Sequence, residues 1–424
     1  MCSVCVIEKD LSSVIATLSD VVRIMSRYCS GYSWHSFLII LFSVEVKNNM
    51  GSVPLFSPKK TACGCCGTVH RSYYDKTVRR IRDMSCGDAR IYLDVEVRRV
   101  RCKRCGKVKR EKLPWLANNP FYTKRFSSYV GRKCRAMTIK DVAKELKLDW
   151  HTVKALDKEY MQEQLRRNPV AAPRAIGIDE ISLRKGHTYR IVVSDLERGK
   201  PIWYGGEDRS EASMDMFYEW LGPKKTKKIA LAVMDMWKAF TKSAQNNAPG
   251  AAILYDKFHV MRHLGDALDT VRKMEYTRLS GKDRSYIKGQ KYTLLSNREN
   301  LTLDGKKALK KLLHANKRLN AAYLLKESFG QLWSYQTEGW ARRFFDNWKQ
   351  SLKWQRLKPY EKFAEMIERN WEGIAAYSRP ENKVSLGFVE GLNNKVRVIQ
   401  RRAYGLRDEG YLRLKILTCM LKEI

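Results

Sequence analysis

The sequence predicts a multidomain α/β protein, and three observations carry that reading. Two C-x-x-C pairs, Cys63-Gly-Cys-Cys66 and Cys102-Lys-Arg-Cys105, bracket a stretch of strand-like alternation. Two short apolar-striped helices joined by a tight turn come next. From Ala172 onward, short apolar runs that finish on acids alternate with helical spacing, as in a buried sheet flanked by helices.

The chain has 424 residues, room for two or three domains, with a formal net charge of +36 and a pI of about 9.8. Such an excess is the footprint of a protein that binds a polyanion, nucleic acid first of all. A membrane surface is the rival for that charge. No long basic amphipathic helix stands out, however, and the longest apolar run, Phe37 to Phe42, is far short of the roughly 20 residues of a membrane span. No membrane partner is therefore expected. Nothing at the N-terminus has the basic start and small-residue cleavage site of a signal peptide. The eleven cysteines accordingly read as thiols or metal ligands in a reducing, cytoplasmic and nucleoid-associated setting.

Residues 1–49 match poorly with the rest of the chain: they carry four basic and four acidic side chains, so all of the net charge lies downstream. Their Cys2-Ser-Val-Cys5 lacks a partner pair nearby and reads as coincidence. The expectation is an N-terminal extension, with the natural start at Met50.

Residues 50–115 are expected to form a zinc-binding, zinc-ribbon-like module. Each C-x-x-C pair closes on a glycine, Gly67 or Gly106, so each can sit on a knuckle whose amides point at the sulfurs. Together Cys63, Cys66, Cys102 and Cys105 offer four thiolates to one structural Zn2+, with Cys65 and His70 as alternative ligands. Lys76 to Ile81 and Arg90 to Val100 read as strands. Nine of the fifteen residues from Arg98 to Lys112 are Lys or Arg. Arg98, Arg99, Arg101, Lys103 and Arg104 are therefore candidate phosphate contacts, although a charge run is often only a solvated face.

Residues 116–170 read as a helix-turn-helix. Thr138-Ile-Lys-Asp141 resembles a capping box, and Ile139, Val142, Ala143 and Leu146 make an apolar stripe. A Lys147-Leu-Asp149 turn leads to a second helix beginning near His151. That helix would present Trp150, His151, Thr152, Lys154 and Lys158 to a major groove.

Residues 171–262 are expected to carry the first part of the catalytic core. Ala175–Asp179, Tyr189–Asp195 and Pro201–Tyr204 read as strands, the last two a hairpin across Glu197-Arg-Gly199. Helix Glu211–Leu221, strand Ile229–Asp235, helix Trp237–Gln245 and strand Ala251–Tyr255 succeed them. Three strands, helix, strand, helix, strand is the order of a ribonuclease-H-like fold, in which the first and fourth strands lie side by side. That arrangement brings Asp179 and Asp235 together. Residues 263–383 read as an all-α insertion whose tryptophans (Trp333, Trp340, Trp348, Trp354, Trp371) are taken as core. Residues 384–424 return to the core as C-terminal helices. There Val389, Leu392, Val396 and Ile399 make a buried stripe, and Glu390, Asn394, Arg397 and Arg401 share a polar face.

A lone Asp at a strand end reads most simply as a turn residue. Three acids, Asp179, Asp235 and Glu390, in so basic a chain point instead to a site holding two Mg2+ (or Mn2+) ions for in-line attack on a phosphodiester.

These motifs resemble one family, the ISL-three type of bacterial insertion-sequence transposases. The resemblance runs from about Cys63 to the C-terminus. It rests on the two cysteine pairs, Gly-Ile-Asp179-Glu, Lys185-Gly-His-Thr-Tyr189, Met234-Asp235-Met-Trp and Asp256-Lys-Phe-His259-Val. Val389-Glu390-Gly-Leu-Asn-Asn-Lys and Arg401-Arg402-Ala-Tyr-Gly405 complete it. It implies that Asp179, Asp235 and Glu390 are a catalytic DDE triad and that Asp256 and His259 support the active site. Arg397, Arg401 and Arg402 would then meet the DNA backbone. Cys65 stands where the family usually has proline, and Ser385-Leu-Gly replaces the usual Thr-Asn-Gly. The implied function is a DNA transposase that binds terminal inverted repeats, cleaves by two-metal chemistry and transfers the strand to target DNA, acting as a homodimer. The rival is a DNA-binding regulator or decayed, non-catalytic transposase; a structure-specific nuclease is a second.

Overall fold

The structure, a computed structural model, describes residues 45–47, 50–55, 60–184, 188–384, 387–404 and 406–424. The Cys2/Cys5 pair, Lys185-Gly-His187, Ser385 and Gly405 lie outside the described residues. The chain divides into two compact units, Met1–Gln164 with Glu423–Ile424, and Leu165–Lys422.

In the first unit, β5 (Asp75–Arg82) and the twelve-residue β6 (Arg90–Arg101) pair antiparallel, with Asp75 opposite Arg99 and Arg82 opposite Tyr92. Period-two alternation drives the pairing: Leu93, Val95 and Val97 are buried with Ile81 beneath Leu113, Trp115 and Leu116. Asp94 and Glu96 turn outward to Arg80 (3.1 Å) and Lys76 (2.7 Å). Five strands have no counterpart in the sequence pattern. β1 (Glu45–Lys47) pairs with β2 (Met50–Leu55), and β2 runs parallel to β6, so residues 45–47 join the sheet. β3 (Thr61–Ala62), β4 (Val69–His70) and β7 (Val108–Arg110) frame the cysteine pairs.

Three helices come next: α1 (Lys124–Ala136), α2 (Ile139–Leu146) and α3 (Trp150–Arg167). Thr138 caps α2, its hydroxyl accepting from Asp141 N at 3.1 Å and donating to the Asp141 carboxylate at 2.6 Å. Lys147 turns the chain in the left-handed region (φ 51), and Asp149 caps α3 by accepting from His151 N at 2.9 Å. Phe126, Val130, Val142, Leu146, Val153 and Leu156 form the shared core.

In the second unit, β8 (Ala175–Arg184), β9 (Thr188–Asp195), β10 (Lys200–Gly205), β11 (Leu231–Met234) and β12 (Ala252–Tyr255) form one sheet in the order β10-β9-β8-β11-β12. The first three are antiparallel neighbours, and β11 runs parallel to both β8 and β12. β8 does not stop at Asp179 as its apolar run suggested. The β9 hairpin carries it on to Arg184, whereas β11 ends at Met234, so Asp179 sits mid-strand where its other neighbour has run out.

Alternation assigns the two faces of this sheet. Ile176 and Ile178 of β8 and Ala232 and Met234 of β11 pack with α4 (Glu211–Leu221) and α5 (Lys238–Asn247). Ala175, Leu231 and Val233 face α11 (Gly387–Arg402) through Val389, and Ile181 packs with Leu392 and Val396 of that helix and with α12 (Glu409–Thr418). Gly177 permits the close approach of α11, because a Cβ there would stand 2.8 Å from Leu196 Cδ2 and 2.9 Å from Val389 Cγ2.

Between β12 and α11 the chain is helical. α6 (Lys257–Arg278), α7 (Leu303–Ala315), α8 (Lys317–Phe329), α9 (Glu338–Ser351) and α10 (Lys358–Arg369) are joined by shorter helical turns. Phe329 packs edge-on to Trp348 and Phe363, and the Tyr360 hydroxyl donates to Ala322 O at 2.6 Å. Trp333 and Trp348 belong to this core, and Trp371 stacks on Phe345. The expectation fails for Trp340 (59% exposed) and Trp354 (86%). α9 buries Ala341, Phe345 and Trp348 at helical spacing, and Trp340 precedes that stripe while Trp354 lies beyond the helix end. No helix among the described residues is long and apolar enough to cross a membrane.

Candidate functional site

Two constellations bear chemistry, one in each unit. In the first, the ligand atoms of Cys63, Cys66, Cys102 and Cys105 all lie within 4.8 Å of one another. The two knuckles are built alike. Gly67 N donates to Cys63 O and Gly106 N to Cys102 O, both at 2.9 Å, and the glycines take φ 74 and 67. Cys63 N and Cys102 N close each turn on Thr68 O (2.9 Å) and Lys107 O (3.0 Å). Amides of Cys66 and Cys65 lower the Cys63 thiol, and the Thr68 hydroxyl and amide lower Cys66 to about 6. The first knuckle thus favours thiolates, whereas Cys66, burial and Cys102 push the Cys105 thiol up, as expected for sulfurs crowded together; four sulfurs at this separation fit tetrahedral Zn2+. Cys65 is exposed and stands outside the cluster, as does His70, so neither alternative ligand is needed.

The second constellation lies on the α11 face of the second sheet. Asp179 shares that face with Gly177 and Ile181 by alternation. The β8–β11 register pairs Val233 with Gly177, so two residues further on Asp235 comes abreast of Asp179. The β11–β12 register pairs Met234 with Tyr255, so Asp256 comes beside Asp235. His259, in the first turn of α6, reaches between the acids: Nδ1 is 3.5 Å from Asp235 Oδ2 and Nε2 is 3.9 Å from Asp179 Oδ2. Burial pulls this imidazole down, but Asp179, Asp235 and Asp256 outweigh it and raise it above its ordinary value. Burial pushes the Asp256 carboxyl up, and the nearby charges of Asp179 and Glu390 push the same way. Asp256 also caps α6, accepting from Phe258 N at 3.0 Å.

Glu390 is an exposed residue in the first turn of α11. Asp179, Asp235 and Glu390 do not form a cluster with ligand atoms within 4.8 Å, so the structure assembles the acids around one edge without closing them into a single ligand set. Mutual repulsion of carboxylates opposes such closure. The donor chemistry nonetheless fits a hard divalent cation: four carboxylates (Asp179, Asp235, Asp256, Glu390) against one imidazole.

Several participants escaped the sequence pattern. Asn393, not Asn394, faces the sheet: its Nδ2 donates to Asp179 Oδ2 at 2.5 Å, while Asn394 accepts from Arg397 at 3.1 Å. Its spacing of three from Glu390 and four from Val389 could have identified it. On the opposite face, Glu180 pairs with Arg209, whose guanidinium lies 3.9 Å over the Tyr189 ring.

The basic candidates divide. Arg99, Arg101, Lys103 and Arg104 are exposed, although Arg99 is paired to Asp75. Arg98 is a poor phosphate contact: its side chain is only 13% exposed and is tied to Glu96 at 2.8 Å. Trp150 and His151 are exposed with rings 3.5 Å apart, Lys154 and Lys158 are half-buried, and Thr152 hydrogen-bonds Tyr122. Arg397, Arg401 and Arg402 are exposed on α11.

Three family models match the chain. Residues 176–416 match one described as "Transposase", residues 111–161 the helix-turn-helix domain of transposase family ISL3, and residues 59–105 the zinc-finger of transposase IS204/IS1001/IS1096/IS1165. A transposase for insertion sequence element IS1001 from Bordetella parapertussis is 34% identical over 361 residues, covering 84% of this chain and 88% of its own. A transposase for insertion sequence element IS1557 from Mycobacterium tuberculosis is 27% identical over 384 residues, covering 84% and 85%.

Proposed function

Because the chain belongs to the ISL3 family of transposases, and is thus a DNA transposase, we propose that Asp179, Asp235 and Glu390 are the DDE triad that cuts and joins its DNA. One observation carries the assignment. Asp179 and Asp235 come abreast on adjacent parallel strands, on the face against which Val389 packs the Glu390 helix. The sheet order, three antiparallel strands and then two parallel ones, supports a ribonuclease-H-like core. The helices from α6 to α10 would be the all-α insertion between its second and third acids.

In this reading Asp179 and Asp235 would supply oxygens to two Mg2+ or Mn2+ ions, with Glu390 completing one site. Cations held there would activate the attacking oxygen and stabilise the leaving one. Water attacks phosphorus in line and the P–O3′ bond breaks, leaving a 3′-hydroxyl on the element end. In joining, that hydroxyl attacks a target phosphorus, one P–O bond forms as one P–O3′ bond breaks, and no covalent protein–DNA intermediate is needed. His259 and Asp256 act as positioning residues, His259 standing between Asp179 and Asp235. The four-cysteine module, with one structural Zn2+, and the helix-turn-helix would find the ends, because phosphate and metal contacts read no sequence. Cutting two ends together calls for a homodimer, and the work belongs at the nucleoid.

The test is an in vitro reaction with Mg2+ and DNA carrying the inverted repeats that flank the gene. Nicking plus strand transfer is expected. Binding alone would leave a DNA-binding regulator, and nicking without joining a nuclease.

Asn393 fixes Asp179, so Asn393→Ala should slow cleavage roughly ten- to hundredfold, the worth of about 1.5–3 kcal/mol for a hydrogen bond to a charged group. Cleavage rates at saturating Mg2+ would show it, with end binding unchanged.

A further inference from the structure

β11 and β12 end in the same way. Met234 stands opposite Tyr255 in their parallel register, and each strand then continues Asp-x-aromatic: Asp235-Met-Trp237 and Asp256-Lys-Phe258. Both rings are left in water, Trp237 44% and Phe258 47% exposed, although large rings gain much from burial. Both are nevertheless held. Trp237 Nε1 donates to Arg209 O at 2.8 Å, and the Arg209 guanidinium, 5.7 Å from the Trp237 ring, is braced by Glu180 and Tyr189. Phe258 stands edge-on to His259, ring centroids 5.8 Å apart, and its N–H is fixed by the Asp256 carboxylate.

Each ring lies two residues beyond an acid of the site. Two residues of extended chain reach at most about 7 Å, roughly two nucleotide rises along one DNA strand. Nucleotides that run from a phosphate at Asp179 and Asp235 over the ends of β11 and β12 would therefore pass the backbone positions that carry these rings. A braced, solvent-facing ring at that distance offers what an unpaired base needs, a π-face that accepts any base.

We infer that Trp237 and Phe258 are base-stacking contacts that hold unpaired nucleotides next to the scissile phosphate. This rests on the acids being the cleavage site. The two rings lower the cost of opening the duplex at the element boundary, a cost every enzyme that takes bases out of the stack must meet. They discriminate paired from unpaired DNA, not one sequence from another.

The experiment compares binding of two DNA probes by the full-length, zinc-loaded protein without added Mg2+ or Mn2+. One is a fully paired duplex from the flanking inverted repeat. The other is the same duplex with two nucleotides unpaired at the element boundary. The parent protein should prefer the unpaired probe about tenfold or more, the scale of base–aromatic stacking. Trp237→Ala with Phe258→Ala should erase the preference while affinity for the paired probe stays unchanged, which also reports that the protein is folded. Trp237→Phe should keep most of the preference. Equal binding of both probes by the parent, or an unchanged preference in the double variant, overturns the inference. Because nothing is cut in this assay, its outcome is separate from the cleavage test of the triad.

Discussion

Asp179→Asn and Asp235→Asn are each expected to abolish strand cleavage while leaving end binding intact. Asn has nearly the shape of Asp, so β8 and β11 and the buried residues around them should be undisturbed. What is lost is the negative oxygen. At Asp179 the change also presents an amide N–H where Oδ2 now accepts from Asn393, so two donors would face each other. Cation-assisted charge stabilisation is worth several kcal/mol, and each 1.36 kcal/mol is a factor of ten in rate. The expected loss is therefore at least about a thousandfold, read by single-turnover cleavage of labelled end DNA. Glu390→Gln should behave similarly. It is the more exposed acid, so Mn2+ in place of Mg2+ should restore more activity to it than to Asp179→Asn. Wild-type cleavage by either Asp variant would refute the triad.

The second large effect concerns the cysteine module. Cys63→Ser or Cys102→Ser removes one of four sulfurs that lie within 4.8 Å of each other, both from fully buried positions. Structural zinc binding is worth on the order of 10–16 kcal/mol in small metal-dependent domains, as large as the whole stability of an ordinary domain. Loss of a ligand should therefore unfold residues around 60–112 and release the metal. Zinc content should fall from one per chain toward zero, limited proteolysis should cut within the module, and specific end binding should disappear. Cys65→Ser is the internal control, because Cys65 is exposed and outside the cluster; it should retain zinc and binding. A chelator that strips zinc without changing end affinity would show the module to be no part of DNA recognition.

Much of this site was legible from local sequence because local chemistry enforces it. A C-x-x-C-G knuckle needs glycine at positive φ, and both Gly67 and Gly106 take it. Thr138 and Asp149 mark the starts of α2 and α3 by capping, which depends on three or four neighbouring residues. The extent of β8 was not legible, because its continuation past Asp179 is set by pairing with β9. The exposure of Trp340 and Trp354 was not legible either: whether a large ring is buried depends on which helix lies opposite. Asn393 was legible in principle, three residues from Glu390 and four from Val389 on the helix, and was missed because Asn394 was read onto the polar face instead.

By itself, then, the amino-acid order determined the longer elements and their order, the polyanion-binding charge, the four cysteines and the three acids, most of them properties of residues or short windows. Tertiary structure alone decided how far β8 runs past Asp179, that α11 approaches over Gly177, that His259 enters between two carboxylates and that two aromatic rings stay in solvent at the sheet edge. The physical reason is the range of the forces. Capping, alternation and turn chemistry act over a few residues, whereas strand register and helix docking are fixed by packing between distant segments, 214 residues apart in the case of Asp179 and Asn393.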